Sequence, residues 1–276
     1  MQLQQLLARF EHLWPAESAE DWDSVGLVSG NSTQEINRIL LTVDVTDEIV
    51  AEAKELKADL ILAHHPLLLK PVNSLSEATS KGALVAELIR SGISLYTAHT
   101  NADSQPAGTS AVLARKIGLL NTKVLAETNP GIGIGIIGEL PGEIQLGELA
   151  GVLNEVLPAT ATGVRVAGEF TKSVKKVALC AGAGDSYLQL ALDSGADVYI
   201  TSDLRHHPAQ EILQQAKARG LDFSLIDISH WAAEYLWLEQ AAAELGGLEV
   251  EILISDIRTD VFDFLLNMPR TNSEPR

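Results

Sequence analysis

The sequence predicts an α/β protein built from two repeated α/β halves, with mostly parallel sheets flanked by helices. Three observations carry that reading. From Arg38 onward short apolar runs alternate with helical patterns, the signature of parallel strands joined by crossover helices. The alternation occurs twice in the chain. The two sets also align at one constant offset of 138 residues, RILLTVD at 38–44 over KVALCAG and ADLIL over ADVYI.

Taken in order, Leu3, Leu6, Leu7, Phe10, Leu13 and Trp14 recur at helical spacing until Pro15, which predicts an amphipathic first helix packed on something larger. RILLTVD at 38–44, ADLILA at 58–63 and ISLYTA at 93–98 read as strands, with helical patterns at about 46–56 and 79–91 between them. The run NPGIGIGIIGELPGE holds Gly133, Gly135 and Gly138 in a formal G-x-G-x-x-G, but isoleucine alternates with glycine and no helix follows. It reads as a glycine-rich strand, not a dinucleotide turn. A connector with one short helix follows. The second set is KVALC at 176–180, ADVYIT at 196–201 and FSLIDI at 223–228. The expected organisation is a first half over 1–128, a connector over 129–175, a second half over 176–268 and a loose tail over 269–276.

Composition narrows the function. Twenty Lys and Arg stand against 37 Asp and Glu, a formal charge of −17, and such a surface repels nucleic-acid backbones and anionic lipid. With 46% hydrophobic residues the acidity belongs to a folded surface rather than to disorder. No apolar run approaches a membrane span and the N-terminus lacks a signal pattern, so a soluble cytoplasmic protein is expected. Cys180 is the lone thiol, which excludes an intrachain disulfide and a cysteine-based zinc site; ending an apolar strand, it reads as core.

Ligands of parallel sheets bind beyond the carboxyl ends of strands. Six of the seven histidines, at 64, 65, 99, 206, 207 and 230, follow predicted strands there, and only His12 does not. His64-His65-Pro66 ends one strand, and His206-His207-Pro208 follows its counterpart four residues later. A bend is needed if two adjacent residues of a strand end are to face one site. His99 and Asp103 are four apart, as are His230 and Glu234, which on a helix sets imidazole and carboxylate on one face. Without thiolates the donors are nitrogen and oxygen, suiting zinc, iron, manganese, cobalt or nickel without selecting among them, and a set this large fits two ions sharing a carboxylate. Asp44 reads either as a helix cap or as support for a ligand. Trp231, beside His230, reads as a core aromatic.

At these motifs the sequence resembles the GTP cyclohydrolase 1 type 2 homologue family, also called the NGG-interacting factor three family of dinuclear metal proteins. The matching pieces are Asp23-Ser24-Val25-Gly26-Leu27, LILAHHPL, AHTNAD, ADVYITSD and the SH-x-x-x-E end, spread over nearly the whole chain. The resemblance implies that His64, His65, Asp103, His230 and Glu234 hold two divalent ions with a carboxylate between them. It places His99 outside the direct ligands, facing substrate or supporting a ligand, with His99 and His206 as candidate proton shuttles. It further implies a small-molecule substrate such as a purine nucleotide, opened by water at C8, and a homohexameric ring with the metal sites facing inward. Three departures line the expected pocket: Cys180-Ala181-Gly182-Ala183-Gly184 thins a glycine-rich stretch, Thr201-Ser202-Asp203 replaces Thr-Gly-Asp, and Ser229 and Trp231 flank the last histidine. A metal-dependent phosphoesterase and a non-catalytic metal carrier or ring scaffold are the competing readings.

Overall fold

The computed structural model describes residues 1–266; the tail expected at 269–276 lies outside the described residues. The chain opens with α1 (Leu3–Leu13), started by a Gln2/Gln5 capping box and burying Leu3, Leu6 and Phe10. There follow β1 (Gly26–Ser29), β2 (Arg38–Thr42), α2 (Asp47–Glu55), β3 (Leu60–Ala63), α3 (Ser80–Ser91), β4 (Ser94–Thr97), the single turn α4 (Thr100–Asp103) and α5 (Thr109–Lys116). The long hairpin of β5 (Leu120–Asn129) and β6 (Ile132–Gln145) contains the glycine-rich run, as expected of a strand. Then come α6 (Leu146–Val156), β7 (Arg165–Ala167), β8 (Ser173–Ala183), α7 (Leu188–Asp193), β9 (Val198–Ser202), α8 (His206–Ala218), β10 (Ser224–Ile228), α9 (His230–Glu244) and β11 (Glu251–Ile254).

Two sheets result, ordered β1-β4-β3-β2-β11 and β5-β6-β8-β9-β10-β7. Parallel pairing runs through β11, β2, β3 and β4 of the first and through β8, β9 and β10 of the second, with antiparallel strands outside them. The period of two along β2 shows how the layers form: Ile39 and Leu41 face the central core while Leu40 faces α2 and α3. The central core joins both sheets through α1, α5 and α9. Helix α9 buries Trp231, Leu236, Trp237 and Leu238 and leaves only a narrow exposed strip at Glu239 and Ala243. Trp231 is thus core, tilted against Tyr235 at 4.9 Å. Helices α7 and α8 cover the outer face of the second sheet. No helix of the described residues is long and apolar enough to cross a membrane.

The repeat is visible in hydrogen bonds. Asp59 Oδ2 accepts the N–H groups of Asn37 and Arg38 at 2.7 and 3.0 Å. Asp197, 138 residues on, accepts those of Lys175 and Lys176 at 2.8 and 2.7 Å. The Asp59 and Asp197 carbonyls then accept from Ser94 and Ser224, which start the third strands. This register corrects the alignment drawn on histidines. The counterparts of His64 and His65 are Ser202 and Asp203, not His206 and His207, which open α8. His99 corresponds to Ser229, each the N-cap of the helix after its third strand, so His230 stands one residue further along. Sheet membership also crosses the expected boundaries: β5 joins the second sheet, and β11 returns to pair with β2 at the edge of the first.

Candidate metal centre

The chain bends at His64 and His65, letting both imidazoles reach one site with ring centroids 5.2 Å apart. His64 is wholly buried, and its Nδ1 lies 2.9 Å from the Ala98 carbonyl. A carbonyl only accepts, so Nδ1–H donates and Nε2 presents its lone pair. That lone pair meets Asp103 Oδ1 and Glu234 Oε1, both at 3.6 Å. His65 sets Nδ1 against Asp44 Oδ1 at 2.7 Å and Nε2 against Glu234 Oε2 at 2.8 Å. His230 sets Nδ1 against Asp203 Oδ2 at 2.7 Å and Nε2 against Glu234 Oε1 at 2.9 Å, realising the four-residue spacing on α9. Asp103, ending α4, accepts from Thr109 Oγ1 at 2.6 Å. His99, the N-cap of α4, is held through Nδ1 by Asp23 Oδ1 at 2.9 Å. Ligand atoms of His64, His65 and His99, and of His65, His230 and Glu234, lie within 4.8 Å of one another in each group.

The electrostatics are those of a site awaiting positive charge. Burial opposes the Glu234 charge, yet His230, His65 and His64 hold its pKa well below the usual carboxylate range. Burial likewise disfavours a charged His65, but Glu234 and Asp44 push its pKa up to about 10. Burial, reinforced by Glu234, raises that of Asp103. Among the described residues His64 Nε2 is a buried atom without a hydrogen-bond partner, its nearest carboxylate oxygens standing at 3.6 Å. With each Nδ1 committed to an acceptor, three Nε2 atoms face carboxylate oxygens, a contact that a proton on Nε2 makes attractive and in which a divalent cation would take the proton's place. Nitrogen and oxygen donors whose far nitrogens are gripped by Asp44, Asp203 and the Ala98 carbonyl suit a divalent transition metal. The residues fit the group.

Backbone also shapes the centre. Gly182, with φ +83°, follows β8's apolar stretch, and a Cβ there would lie 2.4 Å from Glu234 Oε1. Asp203 holds φ +56°, a turn that presents its carboxylate to His230. A cavity of about 380 Å³ opens on one side of the cluster and one of about 270 Å³ on the other, His65 and His230 lining both. Cys180 is buried, and burial together with the Asp103 and Glu234 charges pushes its thiol up to about 12, consistent with a core role.

The structure thus gathers His64, His65, His99, Asp103, His230 and Glu234. It does not bring in His206 or His207, which are exposed in the first turn of α8, stacked edge-on at 5.2 Å, and line neither cavity. Asp44 resolves as a histidine support, because Thr46 caps α2. Asp23 and Asp203 are further supports that residue patterns did not assign. The available signal was an aspartate beside a strand terminus, Asp203 directly after β9 and Asp23 shortly before β1.

The family model described as Duf34/NIF3 (NGG1p interacting factor 3) matches residues 1–261. A Streptomyces coelicolor protein named GTP cyclohydrolase 1 type 2 homolog is 39% identical over 268 residues, covering 94% of this chain and 92% of its own. A Clostridium perfringens protein of the same name is 32% identical, covering 96% of this chain and all of its own. Among solved structures, a Staphylococcus aureus hypothetical protein superposes with TM-score 0.85 at 28% identity, covering 96% of this chain and 99% of its own. A Bacillus cereus protein related to NIF3 superposes with TM-score 0.85 at 24% identity and the same coverage.

Proposed function

This chain belongs to the Duf34/NIF3 family, and on that premise we propose that it is a metal-dependent hydrolase carrying two divalent ions, acting on a purine nucleotide. His64, His65, Asp103, His230 and Glu234 would hold the ions. The observation that carries this is the convergence of three imidazoles on one buried carboxylate, His65 Nε2, His230 Nε2 and His64 Nε2 standing 2.8, 2.9 and 3.6 Å from Glu234 oxygens. When bound, two such ions supply Lewis acidity toward water and substrate.

The chain's own residues do the rest. Asp44 and Asp203 fix the orientation of His65 and His230 and keep their Nε2 lone pairs aimed inward. Asp23 does the same for His99, whose ring borders the larger cavity, where it would move a proton between water and the substrate ring. On this reading one water would add at C8 of guanine and break the C8–N9 bond, leaving a formamide on N7, and a second water would hydrolyse that amide and release formate. A phosphoesterase is the second reading: no Lys or Arg among the described residues lines the larger cavity, while Arg165 lines the smaller one beside His65 and His230. Assembly into a homo-oligomeric ring belongs to the same proposal, and light scattering that returns the mass of one chain would count against it.

Elemental analysis of the purified protein, followed by turnover of GTP in the metal found, tests the reading. Two metal equivalents per chain, lost in Glu234→Ala, and formate release abolished in His64→Ala are expected. Metal absent from the wild type would overturn the site; formate release unchanged in His64→Ala would overturn the mechanism. Exchangeable metal without turnover on any substrate would leave a carrier.

A further inference from the structure

The wall of the 380 Å³ cavity facing the cluster has a chemistry that the metal centre does not use. The cavity lies toward the small end of the roughly 300–1,000 Å³ typical of small-molecule sites. Of the four tryptophans, Trp14, Trp231 and Trp237 are no more than 8% exposed, whereas Trp22, on this wall, is 59% exposed. An indole left in water at the mouth of a site is an unpaid apolar surface that a ligand can cover. The backbone that carries it is anchored on both sides before any ligand arrives. The Glu20 N–H donates to Thr100 Oγ1 at 2.9 Å on one side of it, and on the other Asp23 binds His99 and Thr100. The Trp22 ring stands 5.9 Å from the His99 ring at 78°.

Glu20 supplies the second element. Its side chain is half-buried, lines the same cavity and makes no hydrogen bond or ion pair among the described residues. An ionised carboxylate only accepts, and its two oxygens match two parallel N–H donors. Tyr187 also lines the cavity, and burial with the nearby Glu20 charge pushes its phenol up to about 12, so it stays neutral. With no Lys or Arg on this wall among the described residues, recognition there favours a neutral, flat, N–H-bearing group over a phosphate.

We propose that Trp22 and Glu20 form a base-recognition wall, Trp22 stacking a planar heterocycle while Glu20 accepts two adjacent N–H groups of a guanine-type edge. The assignment rests on the purine-hydrolase reading above and deepens it, naming the residues that choose the base and leaving the phosphates directed away from this wall. Stacking on an aromatic face tolerates any base, whereas a carboxylate paired to two donors discriminates against a base that lacks one of them.

The test uses the metal-loaded full chain with guanosine and inosine, which differ by the 2-amino group, and ribose 5-phosphate, which has no base. Binding is read by calorimetry and metal content is measured for every variant. Guanosine is expected to bind roughly 10- to 100-fold more tightly than inosine, the worth of one charge-assisted hydrogen bond, with ribose 5-phosphate weaker than both. Glu20→Gln should collapse the guanosine-to-inosine ratio, Trp22→Ala should weaken both nucleosides, and Trp22→Phe should restore most of the loss, all with metal content unchanged. Equal binding of guanosine and inosine, a ratio preserved in Glu20→Gln, or nucleoside binding undiminished in Trp22→Ala would overturn this wall while leaving a metal-loaded hydrolase intact. A wild type without metal would instead overturn the underlying reading and this assignment with it.

Discussion

Replacing Gly182 with alanine sets a single methyl group against the carboxylate at the middle of the centre. The new Cβ would lie 2.4 Å from Glu234 Oε1, where ordinary contact begins at 3.4 Å, so something must yield by about an ångström. The carboxylate has little room to yield: Glu234 is 2% exposed, and Oε1 sits 2.9 Å from His230 Nε2. Moving it draws it away from the imidazoles with which it would share metal. Alanine also pays about 1–2 kcal/mol for the left-handed backbone. The two costs separate against Gly118→Ala, because Gly118 has a similar φ of +77° but nothing within 4 Å of its Cβ position. Both variants should lose stability in urea unfolding, Gly182→Ala the more. Only Gly182→Ala should weaken metal binding, by at least about tenfold in chelator competition, as expected when a ligand's placement is disturbed. Equal metal affinity in the two variants would refute the reasoning that Gly182 exists to make room for Glu234.

Other expectations follow from the supports of the centre. Thr259 Oγ1 donates to Asp44 Oδ2 at 2.5 Å, while Asp44 Oδ1 holds His65; Asp44→Ala should therefore weaken metal binding about 10- to 100-fold, and Thr259→Val less, in the same competition assay. His206→Ala and His207→Ala, exposed at the start of α8, should leave metal content unchanged and stability within about 0.5 kcal/mol of wild type by urea unfolding. Away from the centre, burial raises the pKa of Glu244, which accepts from Trp14 Nε1 at 3.1 Å. A carboxyl whose folded pKa is raised favours the native state when protonated and loses that advantage as pH rises through the folded pKa. Glu244→Gln should consequently raise the Tm relative to wild type at neutral pH, and the difference should vanish below the ordinary carboxylate range. A larger difference in acid would show the sign to be wrong.

The local half of this structure was legible in the sequence. RILLT, LILA and SLYT are strands because their apolar residues are buried on both faces, and the offset of 138 reappears as the matched Asp59 and Asp197 bonds. His64 and His65 were legible because a histidine pair at the end of an apolar strand serves packing poorly. His206 and His207 misled for the same reason: residue type suggested a second copy, while the hydrogen-bond register assigns that place to Ser202 and Asp203. Asp44, Asp23 and Asp203 were harder, since an aspartate beside a strand terminus caps, turns or supports equally well until its partner is known. Pairing of β11 with β2 had no local signal, because a parallel partner more than 200 residues away leaves no mark on either segment.

That last pairing bears on how the protein is made. Until Glu251–Ile254 emerges from the ribosome, β2 is an apolar edge with one ladder unfilled, the kind of surface that invites aggregation. His64 and His65 are synthesised long before His230 and Glu234; at roughly 5–20 residues per second, a delay of about 10 s or more separates the two ends of the centre. A nascent chain would therefore carry an incomplete set of the proposed ligands until α9 is made. Chains cut short before β11 would be recognisable to the cell's proteases by that open edge.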